Sequence, residues 1–146
     1  FHFPVHGAPR LIETAKQFGY LTDLETAPLQ LEGMMTGSID LLCRHQGRYY
    51  VIDYKTNHLG NAPSDYAVEA LTASIRHHQY DLQYLLYCVA VKKILALRQP
   101  KVPFEDLFGG VVYLFLRGMT GSPDGGVHFD PVPIALIEAL EAGLDS

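Results

Sequence analysis

Asp40, Asp53 and Lys55 are the residues whose types and spacing could do chemistry together. They sit in two runs, Met35–Arg44 and Arg48–Lys55, dominated by Val, Ile, Leu and Tyr and separated by His45-Gln46-Gly47. Such runs read as strands, and a Gly in so short a gap is what a tight hairpin needs. With Gln46 and Gly47 as a two-residue turn, His45 faces Arg48, Leu42 faces Val51 and Asp40 faces Asp53. Facing side chains share one side of the sheet with Cβ atoms ~4.5–5.5 Å apart. Period two adds Lys55 to that side, roughly 7 Å along from Asp53. Two carboxylates and an amine would then converge at the open end of the hairpin. Oxygen ligands of this kind suit a hard divalent cation, which lowers the pKa of its bound water, and a positioned amine stabilises charge developing nearby. Such a site needs no Ser or Cys nucleophile.

The rest of both strands makes two facing aspartates unusual in a purely structural sheet. Ile39, Leu41 and Cys43 line one face with Tyr50, Ile52 and Tyr54, while Leu42 and Val51 line the other. Both faces are apolar near the middle, as in a central pair covered on both sides. Two Asp at its end should repel each other and lose hydration, and a cation between them would remove both penalties. A plainer reading stays open, in which both Asp are exposed and Lys55 forms a weak surface ion pair with one of them. A three- or four-residue loop would also take the two Asp out of level.

The elements that must position these residues are those of a mixed α/β domain, a small sheet covered by helices. Phe1–Arg10 reads as an extended lead-in, and Leu11–Phe18 as a short helix closed by Gly19. Thr22–Pro28 is loop-like, and Leu29–Glu32 reads as a strand entering Gly33. After a loop at Thr56–Ser64, Asp65–Ile75 and Gln79–Leu97 carry helical spacing. The second is apolar on more than one face, so it is expected to pack against the sheet. Gly109-Gly110 introduces a strand at Val111–Leu116, Gly118–Gly126 is a loop, and Val127–Phe129 a short strand. Pro133–Glu141 reads as a last helix, with Pro in its first turn and Gly143 just beyond its end.

The 146 residues suffice for one domain, with 48% apolar and 18% charged positions, which excludes a disordered tail. A net charge of −5 argues against a surface that is wholly a phosphate-binding sheath, yet allows a local nucleic-acid site where metal ions bring the positive charge. Cys43 and Cys88 lie in apolar runs and fit buried thiols of a reduced, cytoplasmic compartment; two cysteines cannot hold a four-Cys cluster. No run approaches the ~20 apolar residues of a membrane span. The chain lacks G-x-x-x-x-G-K-[ST] and so carries no helicase motor.

Gly37-Ser38-Ile39-Asp40, then Ile52-Asp53-Tyr54-Lys55, then Gln83-Tyr84-Leu85-Leu86-Tyr87 resemble the core of the PD-(D/E)XK nuclease superfamily, the last being the Q-x-x-x-Y element of its RecB-like branch. Asp53–Gly60, Tyr80–Tyr84 and Gly109–Gly118 extend the resemblance to the RecB-like nuclease domains of exodeoxyribonuclease V, from about Phe3 to the chain end. The resemblance implies a restriction-endonuclease-like core in a single 1–146 domain. It implies an Mg²⁺-dependent (Mn²⁺ possible) exodeoxyribonuclease cutting single-stranded DNA, with RecC-like and RecD-like subunits and a recombinase as partners. Asp40 and Asp53 would bind metal with the Tyr54 carbonyl as a further ligand, Lys55 would orient or deprotonate the attacking water, and Gln83 and Tyr87 would fix the DNA backbone or Lys55. The family also has an acidic or His residue on a helix upstream of Gly37. His2 and His6 lie in the Pro-containing lead-in and neither matches, so that helix is expected before Phe1, and this piece alone is expected to bind metal weakly or not to cut. A non-catalytic module docking on helicase partners or a recombinase is the rival reading.

Further residues carry two readings each. Adjacent His77 and His78 point about 100° apart on a helix and are expected in solvent or near a DNA-facing groove rather than on a metal. Tyr49, Tyr50, Tyr54, Tyr80, Tyr84 and Tyr87 could stack bases or fill the core. Asp81 reads as a helix-start charge, His58 as a phosphate contact or an idle loop residue, and Lys92, Lys93, Arg98 and Lys101 as a solvated helix end.

Overall fold

The structure, a computed structural model, describes residues 2–4, 8–24, 34–122 and 125–145. A two-stranded antiparallel sheet pairs β1 (His2–Pro4) with β2 (Met34–Thr36). The main sheet has the order β3 (Leu41–His45), β4 (Arg48–Lys55), β5 (Phe108–Phe115), β6 (Val127–Asp130). The β4–β5 pair is parallel and its neighbours are antiparallel. A parallel pair needs a crossover, and α2 (Val68–His77), α3 (Tyr80–Arg98) and the short α4 (Phe104–Leu107) supply it. The remaining helices are α1 (Ala8–Gln17) and α5 (Ile134–Leu144). No helix among the described residues is long and apolar enough to cross a membrane.

The hairpin register is the expected one: His45 pairs with Arg48 and Leu42 with Val51. Gln46 and Gly47 both have left-handed backbones, φ 50° and 80°, as a two-residue turn that follows the twist of its strands requires. Period two then sorts β4 and β5 by face. Val51, Asp53, Val111, Tyr113 and Phe115 are buried, while Ile52, Tyr54, Val112 and Leu114 are half-buried or exposed. The buried face lies under α3, where every residue from Tyr84 to Val91 is buried. On its other side α3 meets α5, on which α1 packs. Tyr20, Tyr84 and Asp130 knit these layers: both phenols donate to the Asp130 carboxylate, at 3.0 and 2.8 Å, and the Val132 N–H joins them at 2.9 Å. Burial, with the Asp130 charge behind it, pushes both phenol pKa values up.

Several sequence expectations change in detail. The run Met35–Arg44 is broken: β2 ends at Thr36, and Asp40 sits in a bend one residue before β3. The hairpin is not a central pair covered on both sides, because β3 is an edge strand with Leu41 exposed. Cys88 is fully buried but Cys43 only half-buried, as edge position dictates. The first helix begins at Ala8, inside the stretch read as extended, because Ala8-Pro9-Arg10 forms its opening turn; Pro suits such a position. The segment Asp65–Ile75 divides into a 3-10 turn at Pro63–Tyr66 and α2. Pro133 caps α5 rather than entering it, and Gly143 lies within the helix. Residues 25–33, with the strand expected at Leu29–Glu32, lie outside the described residues.

One glycine underpins the loop after Lys55. A Cβ on buried Gly118 would lie 2.4 Å from Tyr66 Cβ, too close for any rotamer change to relieve. Tyr66 in turn accepts the Leu59 N–H on its hydroxyl at 3.1 Å, fastening the segment between β4 and α2. Gly118→Ala is therefore expected to destabilise the fold by ~1–3 kcal/mol through overpacking, read as a lower midpoint in urea unfolding.

Candidate active site

Alternation along β4 puts Asp53 and Lys55 on the buried side of the sheet and the Tyr54 side chain on the other. Tyr54 is accordingly 44% exposed and Asp53 only 2%. Asp40 reaches the same end of β4 from its bend. Its Oδ2 accepts the Tyr54 N–H at 3.2 Å, so the bend is tied to the strand between Asp53 and Lys55. The open end of the hairpin thus carries both carboxylates and the amine, with Asp40 exposed and Asp53 beneath it.

Lys55 Nζ lies 2.7 Å from Asp53 Oδ2. The contact is a close ion pair whose alignment is poor for a hydrogen bond, and Oδ2 itself is buried. Burial pushes the Asp53 carboxyl above the usual carboxylate range, Lys55 pulls it back, and the nearby Asp40 adds to the rise. A carboxylate so placed favours additional positive charge, because a cation would offset both desolvation and the Asp40 repulsion.

The ammonium is held from its other sides by aromatic rings and an amide. Lys55 Nζ donates to Gln83 Oε1 at 3.2 Å and stands 4.0 Å from the Tyr80 ring centre and 5.2 Å from that of Tyr113. Tyr113 O–H donates to the same Gln83 Oε1 at 2.6 Å. With two donors on one oxygen, the Gln83 amide can face Lys55 only through its carbonyl. Tyr87, one turn along the α3 face from Gln83, is buried and hydrogen-bonds with it; burial, then the Asp53 and Asp40 charges, pushes its phenol up. Its burial places Tyr87 under Gln83 rather than on the open surface.

Of the residues singled out in the sequence, Asp40, Asp53, Lys55, Gln83 and Tyr87 come together. Tyr84 is core, Tyr49, Tyr50 and Tyr80 are half-buried, and His77 and His78 are exposed. His58 hydrogen-bonds Asn61 at 3.0 Å in the following loop. Asp81 is the helix-start charge expected, in the first turn of α3, where it accepts the Leu82 N–H at 3.1 Å, and it is buried at 7% exposure. Lys92 and Lys93 bridge from α3 to Glu141 of α5 and to Asp145 just past its end rather than standing free. Tyr113 was hidden from sequence reasoning inside the apolar run of β5, and Tyr80 appeared only as one tyrosine among several. The signal that finds Tyr113 is the parallel register, in which it pairs with Asp53.

The donors at this end are all oxygens, and one of them, Asp53 Oδ2, is buried without a hydrogen bond. That set fits a hard divalent cation, although no cluster of three or more His, Cys, Asp or Glu occurs among the described residues.

A mixed sheet that brings two aspartates and a lysine to one end of a hairpin, under a helix bearing Gln83 and Tyr87, is the arrangement of a nuclease fold. The chain belongs to the PD-(D/E)XK nuclease superfamily, whose sequence pattern matches residues 5–144. Among particular proteins it is similar to the RecBCD enzyme subunit RecB of Haemophilus influenzae, 47% identical over 112 residues covering 77% of this chain and 9% of that protein. It is likewise similar to RecB of Escherichia coli K12, 43% identical over 120 residues (80% and 10%), and of Mycobacterium tuberculosis H37Rv, 44% over 124 residues (79% and 11%). The chain spans about a tenth of the length of these relatives.

Proposed function

We propose that this chain is the nuclease domain of a RecB-like helicase–nuclease. It would act in the cytoplasm as an exodeoxyribonuclease of the exodeoxyribonuclease V type, processing DNA ends for recombinational double-strand-break repair. The observation that carries the chemistry is Asp53 Oδ2, buried, short of a hydrogen bond and flanked by Asp40 and Lys55. Asp40, Asp53 and the Tyr54 main-chain carbonyl would hold Mg²⁺, or Mn²⁺ in its place. Bound there, the cation would lower the pKa of a water and neutralise the scissile phosphate.

The remaining roles belong to the chain itself. Lys55 offsets charge developing on the phosphoryl oxygens and orients the attacking water, as a preorganised cation in a partly desolvated site does best. Gln83 aims Lys55, and Tyr87 supports Gln83. Single-stranded DNA would be gripped through its backbone rather than read by sequence. The net charge of −5 is no obstacle, because part of it is the cation site and the RecC-like and RecD-like subunits would guide the strand. A recombinase would receive the processed DNA.

The test uses the full-length protein carrying this domain, end-labelled single-stranded DNA, and a titration of Mg²⁺ or Mn²⁺. Cleavage is expected to rise with cation concentration and to stop on chelation. Binding of DNA with no cleavage at any cation concentration would instead leave a non-catalytic docking module.

A further inference from the structure

The junction between α2 and α3 carries an aromatic series that the chemistry above leaves unused. The His78 ring stacks on Tyr80, 5.1 Å between centres and 22° between planes, and His77 meets His78 edge-on at 4.9 Å. Tyr80 is also the ring 4.0 Å from Lys55 Nζ, and Asn57, two residues after Lys55, donates to its hydroxyl at 3.2 Å. The series therefore runs from the lysine of the candidate active site out to solvent, where both imidazoles are exposed. Among the described residues neither imidazole makes a side-chain hydrogen bond or ion pair, so ring contacts are what orient them.

The backbone that presents them is constrained. α2 ends at His77, and Gln79 takes a left-handed conformation, φ 57° and ψ 34°, before α3 begins at Tyr80. For a residue with a Cβ that conformation is unfavourable, and surrounding structure must impose it. It breaks the helical path between α2 and α3, and His78 lies nearly flat against Tyr80 across it. An exposed ring stacked on a half-buried one, beside a phosphate-handling group, has the form of a platform for single-stranded nucleic acid, where every base offers a π-face.

We propose that His78, backed by Tyr80 and edged by His77, is a stacking subsite for a nucleobase of single-stranded DNA adjoining the phosphate held at Asp53 and Lys55. The proposal rests on the nuclease reading and adds to it a base-binding step that is indifferent to sequence. His78 packs one base, Tyr80 transmits that contact to the face of Lys55, and the strand is thereby set in register with the cut.

The probe is a single-stranded oligodeoxynucleotide with 2-aminopurine walked along it one position at a time. In EDTA, which prevents cleavage, fluorescence at one position is expected to be quenched on binding to the full-length protein. His78→Ala should abolish that quench and weaken binding about tenfold, whereas His78→Phe, which keeps a ring without nitrogens, should restore both. With Mg²⁺ present, an abasic residue at the quenched position should slow cleavage by the unsubstituted protein and leave His78→Ala unaffected. Quenching that survives His78→Ala, or rescue that fails with Phe, overturns the subsite. Quenching that follows the expected pattern without any cleavage overturns the nuclease reading and leaves the subsite standing.

Discussion

Lys55→Met is expected to lower the rate of single-stranded DNA cleavage by at least ~10²–10³, the loss seen when one preorganised charge-stabilising group is removed from an active site. Met keeps an unbranched side chain beside the Tyr80 and Tyr113 rings, which lie 4.0 and 5.2 Å from Lys55 Nζ, and removes the charge. The same substitution leaves Asp53 buried beside Asp40 without its cation, its side chain 3% exposed. Breaking a buried pair by removing one partner costs ~3–5 kcal/mol, and here the lower end applies because the Asp53 carboxyl, already raised, can take up a proton. The double variant Asp53→Asn with Lys55→Met removes both charges and should recover most of that stability, with no recovery of cleavage. Urea unfolding and cleavage assays on the two variants therefore move apart. Cleavage by Lys55→Met within tenfold of the unsubstituted protein would show that Lys55 is not the charge-stabilising group.

That pair was legible in the sequence because it depends on local geometry. A two-residue gap ending in Gly fixes hairpin register, register fixes which residues face each other, and period two adds Lys55 to Asp53. What local geometry does not fix is where a strand begins to pair. Asp40 lies level with Asp53 but in a bend outside β3, held by the Tyr54 N–H instead of a ladder partner. Nor does it fix which strand is at the edge: β3 looked central because Leu41 and Cys43 are apolar, yet among the described residues it has one neighbour only. The aromatic enclosure of Lys55 was out of reach for a stronger reason. Tyr113 meets Asp53 only through the parallel β4–β5 register, set by a crossover through α2, α3 and α4. A tyrosine inside Val111–Phe115 carries no periodic signal that separates a core ring from a ring with a hydroxyl at work. Helical spacing did put Gln83 and Tyr87 on one face, but the direction in which Gln83 points depends on Tyr113.

Tyr113→Phe tests that dependence, and its largest effect should fall on turnover rather than on binding or stability. The ring stays, with its contacts to Tyr80, Tyr84 and Lys55; only the hydroxyl is lost. Removing a hydroxyl donor leaves no buried donor stranded, so the stability change should stay within the ~0.5–1.5 kcal/mol of one hydrogen bond. Gln83 Oε1 then loses its shorter hydrogen bond, and its amide, held by Lys55 and the Tyr87 hydrogen bond, is less firmly kept from turning its NH₂ toward the ammonium. A lysine that spends part of its time repelled by that NH₂ is misplaced, and kcat is expected to fall about tenfold, equivalent to ~1.4 kcal/mol, with KM nearly unchanged. Gln83→Leu should fall at least as far. If Tyr113 acts through Gln83, adding Tyr113→Phe to Gln83→Leu changes kcat by less than about twofold, because the interaction it would remove is already gone; coupled neighbours fail to add in this way. Equal effects of Tyr113→Phe in both backgrounds would mean that the hydroxyl acts on the fold or on Tyr80, whose carbonyl lies 3.5 Å away, and not by aiming Lys55.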